Sequence, residues 1–259
     1  SYSVTGVQTC ALPISAKIIP EVAQLPGFLF NGTMNSDSST YYNTHAKQYD
    51  SWYDSRVGRT YDRLVKAAFA DLLFAPGERP SLLEVGSGSG WMSAYFAAQG
   101  FHVTGLELSS QMVDVAQAKN IPHAQFQQGD AMALPFADCS FDAVAMVNVL
   151  SLTPDPPHVL REMVRCLRPG GHLYLGLMNP RASFVQRQVK ESDSAANVHF
   201  MPLAKIIEVL SPHGRITVVM SAYSLSLKMP LPLAPAIDRL LRLLGRRTGS
   251  QILVRLDLS

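Results

Sequence analysis

Residues 81–90 read Ser-Leu-Leu-Glu-Val-Gly-Ser-Gly-Ser-Gly, and this stretch decides the fold. A short apolar run carries an acid, Glu84, near its end, and Gly86, Gly88 and Gly90 follow at alternate positions. The apolar run suits a buried strand. Glycine takes positive φ without a Cβ clash, so the chain can turn sharply here and a ligand can lie against bare main chain. Ser89 is placed to cap a helix over residues 91–99. Strand, glycine turn and helix start together make a nucleotide-type site at the carboxyl end of a parallel strand.

Working outward, the spacing selects among nucleotides. A dinucleotide turn needs Gly-x-Gly-x-x-Gly, with its third glycine at position 91. That position holds Trp91, too large for close helix–strand packing, which disfavours a nicotinamide-dependent oxidoreductase. A second strand over 101–106 ends in Glu107, roughly twenty residues beyond the glycines, where an acid is placed to accept both ribose hydroxyls. A carboxylate suits this because two charged oxygens meet two donors. Gln127-Gln128-Gly129-Asp130-Ala131 closes a third strand, 141–147 is a fourth, and Arg165-Cys166-Leu167-Arg168-Pro169-Gly170-Gly171 turns into a fifth over 172–178.

In this order, Glu84-x-Gly86-x-Gly88-x-Gly90 and the later signals resemble class I S-adenosylmethionine-dependent methyltransferases. The likeness is closest to the type 11, ubiquinone/menaquinone C-methyltransferase-like group, and covers about residue 41 to the C-terminus. The resemblance implies an α/β, Rossmann-like, doubly wound seven-stranded sheet, mostly parallel, with an antiparallel last strand inserted into it. It implies S-adenosyl-L-methionine as cofactor. The backbone at Gly86, Ser87, Gly88 and Gly90 would meet the methionine part, and Glu84 would orient the turn or meet the cofactor's amino group. Glu107 would hold the ribose, Leu108 and Met112 would flank the adenine, and Asp130 and Ala131 would meet its edge. Asn148, just past strand four, would sit below the methionine part.

The remaining segments fit the same alternation. Residues 40–53 are rich in aromatics and resemble the family's leading helix, with Ala46-Lys47-Gln48-Tyr49-Asp50-Ser51-Trp52; it is either a lid on the pocket or an ordinary docked helix. Helices are predicted over 59–74, from an N-cap at Ser109 to 119, over 157–167, and from Pro202 to 210. Residues 215–225 and 250–258 read as the last two strands. Between them, 228–247 is an insert with a short apolar helix and Arg246-Arg247 after it; a helix packed on the sheet edge is preferred to an interfacial element.

Composition bounds the rest. At 259 residues and 47% hydrophobic, the chain suits one large α/β domain, 34–259. Val4–Ile14 resembles the translation of a common sequencing adapter, so 1–33 reads as an extraneous or disordered segment of a metagenomic sequence. A net charge of +2 implies no nucleic-acid partner. Cys10, Cys139 and Cys166 form no metal-ligand pair, so no metal site and a reducing, cytoplasmic setting are expected. Stable membrane insertion is not expected, peripheral contact is compatible, and the oligomeric state is left open.

The expected activity is methyl transfer to a small-molecule acceptor, lipophilic or quinone-like by preference. The alternative is S-adenosylmethionine binding without turnover, since no catalytic base stands out. The weak candidates for one are His199, His45 and Tyr49, with His158 behind them.

Overall fold

The computed structural model describes residues 38–74, 79–191, 200–221, 233–244 and 249–259. Its central strands are apolar on both faces. In β1 (Ser81–Val85) and β4 (Phe141–Val147), Leu82, Ala143 and Ala145 enter one core, while Leu83, Val85, Val144 and Met146 enter the other. Side chains alternate along a strand, so a run apolar at every position must be covered on both sides.

Helices supply that cover. On the first face lie α1 (Ser38–Tyr49) with a short 3-10 turn (Asp50–Asp54), α2 (Arg56–Ala70) and α3 (Trp91–Ala98). Phe69 and Phe96 meet there edge to face, 5.6 Å between centroids. The helix α4 (Ser110–Ala118) packs Val113 and Ala116 on Phe126. The opposite core holds Met163 of α5 (Pro156–Arg165) and, beyond β5 (Leu167–Met178) and α6 (Ser183–Glu191), Leu210 of α7 (Leu203–Leu210).

With β2 (His102–Glu107), β3 (Ala124–Gln128), β6 (Gly214–Met220) and β7 (Gln251–Leu258), the sheet has seven strands in the order β3-β2-β1-β4-β5-β7-β6. The first five are parallel, and β7 runs antiparallel between β5 and β6. From β1 the chain winds outward through β2 and β3, then returns to β4 on the other side. Such a reversal leaves a crevice at the carboxyl ends of the two middle strands.

Several local expectations change. Gly90, at φ 81°, caps α3, and the Ser89 hydroxyl instead donates to Asp50 Oδ1 at 2.6 Å. Strand β5 starts at Leu167, which pairs with Phe141; the ladder then skips Arg168–Gly171 and resumes at Ala143 and His172. Helix α2 starts at Arg56 because Ser55 Oγ accepts the Gly58 amide at 2.9 Å, and it ends at Ala70. Pro202 is the cap of α7, not its first residue. In the insert, α8 (Ala234–Leu243) packs on α2 through Leu64, Ala234 and Ile237, not on the sheet edge. Arg239 and Arg242 both pair with Asp71. Arg246, Arg247 and the segment 1–33 lie outside the described residues. Among the described residues no helix is long and apolar enough to cross a membrane.

Candidate active site

A cavity of about 290 Å³ opens at the carboxyl ends of β1, β2 and β4. The glycine turn forms one side. Its amides at Gly86 and Ser87 both donate to Leu106 O, at 2.7 and 3.0 Å, which ties the turn to β2. The glycines then serve different ends. A Cβ on Gly86 (φ 75°) would strike Val149 Cγ2 at 2.5 Å, whereas one on Gly88 (φ 52°) would meet nothing within 4 Å. Gly88 therefore leaves open space over its backbone. Gly90 faces inward, where a Cβ would stand 3.0 Å from Ile121 and Phe126, and it does not line the cavity.

Two carboxylates lie beside the turn. Glu107 Oε2 accepts the Gly88 amide and Oε1 the Ser109 amide, each at 2.9 Å. Each carboxylate oxygen has two acceptor sites, so Glu107 keeps free acceptor capacity. Burial raises its pKa, opposed by the amides of Ser109, Gly88 and Leu108. Glu84 is 2% exposed and accepts the Ser93 hydroxyl. Burial pushes its carboxyl up to about 8; the Ser93 bond opposes this and the Glu107 charge adds to it.

Leu108, Met112, Asp130, Ala131 and Met132 form the flank beyond Glu107. Asp130 Oδ1 accepts the Met132 amide at 2.8 Å, which shapes that turn. Past β4, Asn148 sits at φ 58° with its amide on Gly176 O at 2.8 Å. Val149, Leu152, Thr153 and Pro154 continue this wall.

The first helix and the 3-10 turn after it roof the cavity with Tyr42, Tyr49 and Tyr53, and Tyr53 stacks on Trp91 at 4.4 Å. Polar contacts of Asn43 and Asp50 hold this segment down. Asn43 Oδ1 accepts the Ser109 hydroxyl at 2.6 Å, and Asp50 takes both the Ser89 hydroxyl and the Lys119 ammonium. The segment both docks its aromatics on the domain and lines the cavity, so features of both sequence readings are present. Burial raises all three phenols, so they stay protonated at neutral pH.

The structure thus gathers Glu84, Gly86, Ser87, Gly88, Glu107, Leu108, Met112, Asp130, Ala131, Asn148 and Tyr49 around one cavity and leaves out Gly90. His45 turns back on its own helix, its Nδ1 at 2.9 Å from Tyr41 O, and does not line the cavity. His158 is engaged with Met132 O at 2.9 Å and is likewise off the wall. His199 lies outside the described residues. Sequence reasoning missed Tyr42, Tyr53, Trp91, Val149, Leu152, Thr153 and Pro154 as lining groups. For the tyrosines and tryptophan a signal existed, the aromatic density of 41–53 and the bulky residue at 91; for the others none did.

Residues 83–175 match the sequence profile described as "Methyltransferase domain". Over those residues the chain carries a methyltransferase domain. The domain is 40% identical over 115 residues to a demethylmenaquinone methyltransferase of Renibacterium salmoninarum, covering 44% of this chain and 46% of that one. It is 30% identical over 156 residues to a malonyl-[acyl-carrier protein] O-methyltransferase of Erwinia pyrifoliae, covering 60% and 58%. The chain therefore spans about half the length of these relatives. In fold it is similar to a solved S-adenosylmethionine-dependent methyltransferase, a possible histamine N-methyltransferase, of Thermotoga maritima, with a TM-score of 0.66, 19% identity and coverage of 85% and 99%.

The cavity fits S-adenosylmethionine. Open backbone at Gly88 admits a ligand against the main chain. Glu107 keeps free acceptor capacity beside it. The apolar flank of Leu108, Met112 and Ala131 suits a flat base, and carboxylates with aromatic faces suit a cation.

Proposed function

We propose that this chain transfers a methyl group from S-adenosylmethionine to a small, uncharged, lipophilic acceptor of quinol or phenol type. One observation carries the reading: the cavity joins bare backbone and a carboxylate, at Gly88 and Glu107, to a wall of aromatic and apolar side chains.

The chain's own residues divide the work. Gly86, Ser87, Gly88 and Glu84 hold the methionine end, Glu107 takes the ribose hydroxyls, and Leu108, Met112, Asp130 and Ala131 enclose the base. Bound S-adenosylmethionine supplies a methyl group already activated by its positive sulfonium. The protein's part is alignment, worth up to ~7–11 kcal/mol when two reactants are held in a near-attack geometry. Tyr42, Tyr49, Tyr53 and Trp91 exclude water above the site, and their faces favour positive charge. The phenols stay protonated, so Tyr49 acts as a hydrogen-bond donor to the acceptor and not as its base.

The choice of acceptor rests on the wall. Among the described residues that line it there is no lysine, arginine or histidine to receive an acidic acceptor. That favours chemistry of the kind named for the demethylmenaquinone relative over that named for the malonyl relative. A quinol or phenol brings its own acidity to the nucleophilic atom. The test is formation of S-adenosylhomocysteine when the protein is given S-adenosylmethionine and either reduced naphthoquinones, simple phenols or carboxylic acids. Turnover with the quinols or phenols is expected. Turnover confined to the acids, or none with any of these acceptors, would overturn the reading.

A further inference from the structure

Behind the cavity wall lies a buried polar cluster with no part in the chemistry described so far. Tyr61, on α2 and 2% exposed, places its hydroxyl oxygen against two carboxamides. It accepts from Asn148 Nδ2 and, at 3.2 Å, from Gln251 Nε2. Asn148 lines the cavity; Gln251, 3% exposed, is the first residue of β7, where its amide donates to Ser221 Oγ at 3.0 Å. The two carboxamide oxygens, Asn148 Oδ1 and Gln251 Oε1, are both buried with no hydrogen-bond partner.

A phenol oxygen accepts two hydrogen bonds and its proton can be donated once. Burial raises the Tyr61 phenol, opposed by the bonds from Asn148 and Gln251, so the proton stays on the ring oxygen. Turning a carboxamide by half a rotation exchanges its oxygen and nitrogen, so each amide can face Tyr61 as donor or acceptor. The choice at Gln251 sets what Tyr61 has left for Asn148, and that sets which end of Asn148 is committed. Tyr61 itself cannot drift, because it packs on Trp52 and Trp91, at 5.3 and 6.0 Å between centroids.

We propose that Tyr61 and Gln251 are positioning residues for the transfer site: Gln251, anchored at the start of β7, sets the Tyr61 hydroxyl, which locks the Asn148 side chain on the cavity wall. This rests on the cofactor reading above. A locked amide offers a ligand one fixed hydrogen-bonding group where a freely turning one offers an average. Strand β7 is far from the glycine turn in sequence, yet through this relay it bears on the ligand.

The test is a double-mutant cycle read by calorimetric titration with S-adenosylhomocysteine, beside hydrogen exchange of the Asn148 side-chain amide in the ligand-free protein. That resonance is identified by its loss in Asn148→Ala. Tyr61→Phe is expected to weaken binding ~5–10-fold, the scale of one net hydrogen bond. In the Asn148→Ala background the same change is expected to have no further effect, and Tyr61→Phe is expected to speed exchange of the amide. Factors that multiply, wild-type affinity in Tyr61→Phe, or an unchanged exchange rate would each overturn the proposal. Should Tyr61→Phe not fold, Gln251→Leu takes its place with the same expectations. If the wild type takes up no S-adenosylhomocysteine, the cofactor reading falls, and the exchange measurement alone decides whether the relay holds Asn148.

Discussion

Glu107 reaches back to the glycine turn, where its Oε2 accepts the Gly88 amide at 2.9 Å. The acid at the end of β2 therefore orders the turn at the end of β1, besides facing the cavity. Glu107→Ala removes both roles. Loss of hydrogen bonds to a charged group predicts S-adenosylmethionine binding weaker by about 2–4 kcal/mol, measured by calorimetric titration. Unchanged affinity would remove Glu107 from the site.

Gly86 and Gly88 should fail in different ways. Gly88→Val places a side chain in open space at a strained φ, so ligand binding is lost while the fold survives with ~1–2 kcal/mol of strain. Gly86→Ala meets the same strain at φ 75° and also drives a Cβ into Val149, which adds ~1–3 kcal/mol of overpacking to it. Thermal unfolding and titration on both variants separate the two. Equal losses of stability would contradict the division.

The Glu84 carboxyl gives a pH dependence with a definite sign. Its native pKa, about 8, lies above the ordinary 4.5. Between those values the native state keeps a proton that the unfolded chain has released, so its contribution to stability falls as pH rises through the window and levels off above about 8. A cationic ligand favours the ionised form, so binding S-adenosylmethionine at neutral pH should release a proton, and S-adenosylhomocysteine, a zwitterion without the sulfonium, should release less. Titrations in two buffers of different ionisation enthalpy measure this. Glu84→Gln, which keeps the Ser93 bond, should abolish both the extra proton release and this part of the stability profile; persistence of either would implicate another group.

Asp50 closes the lid by holding Ser89 and Lys119 at once. Asp50→Ala should speed release of S-adenosylhomocysteine several-fold in stopped-flow traces, because an opening lid governs escape. The ion pair is partly exposed and screened, so the variant should lose only ~0.5–1 kcal/mol of stability. A release rate equal to that of the wild type would mean the lid does not gate the ligand.

Much of this was legible before any coordinates. The run at 81–85, the glycine turn, the acid at 107 and the apolar strand at 141–147 are local signals. Each is carried by residues a few positions apart, and each appears where the pattern put it. The strand at 167 was misplaced because a four-residue detour interrupts its pairing, and pairing is not a local property. The cap on α3 was misassigned for a similar reason. Ser89 has the chemistry of a cap, but Asp50 of the distant lid is a charged acceptor and takes its hydroxyl.

Alternation and turn chemistry, read along the chain, determined a doubly wound sheet with a nucleotide-type crevice and named most of one wall. Only the folded arrangement decided that three tyrosines from the first helix and the turn after it roof that crevice, that His45 turns away from it, and that Gly86 and Gly88 face different neighbours. The physical reason is range. Backbone conformation and burial period are set by near neighbours, whereas a roof, a latch or a relay from Gln251 to Asn148 exists only once distant segments are packed side by side.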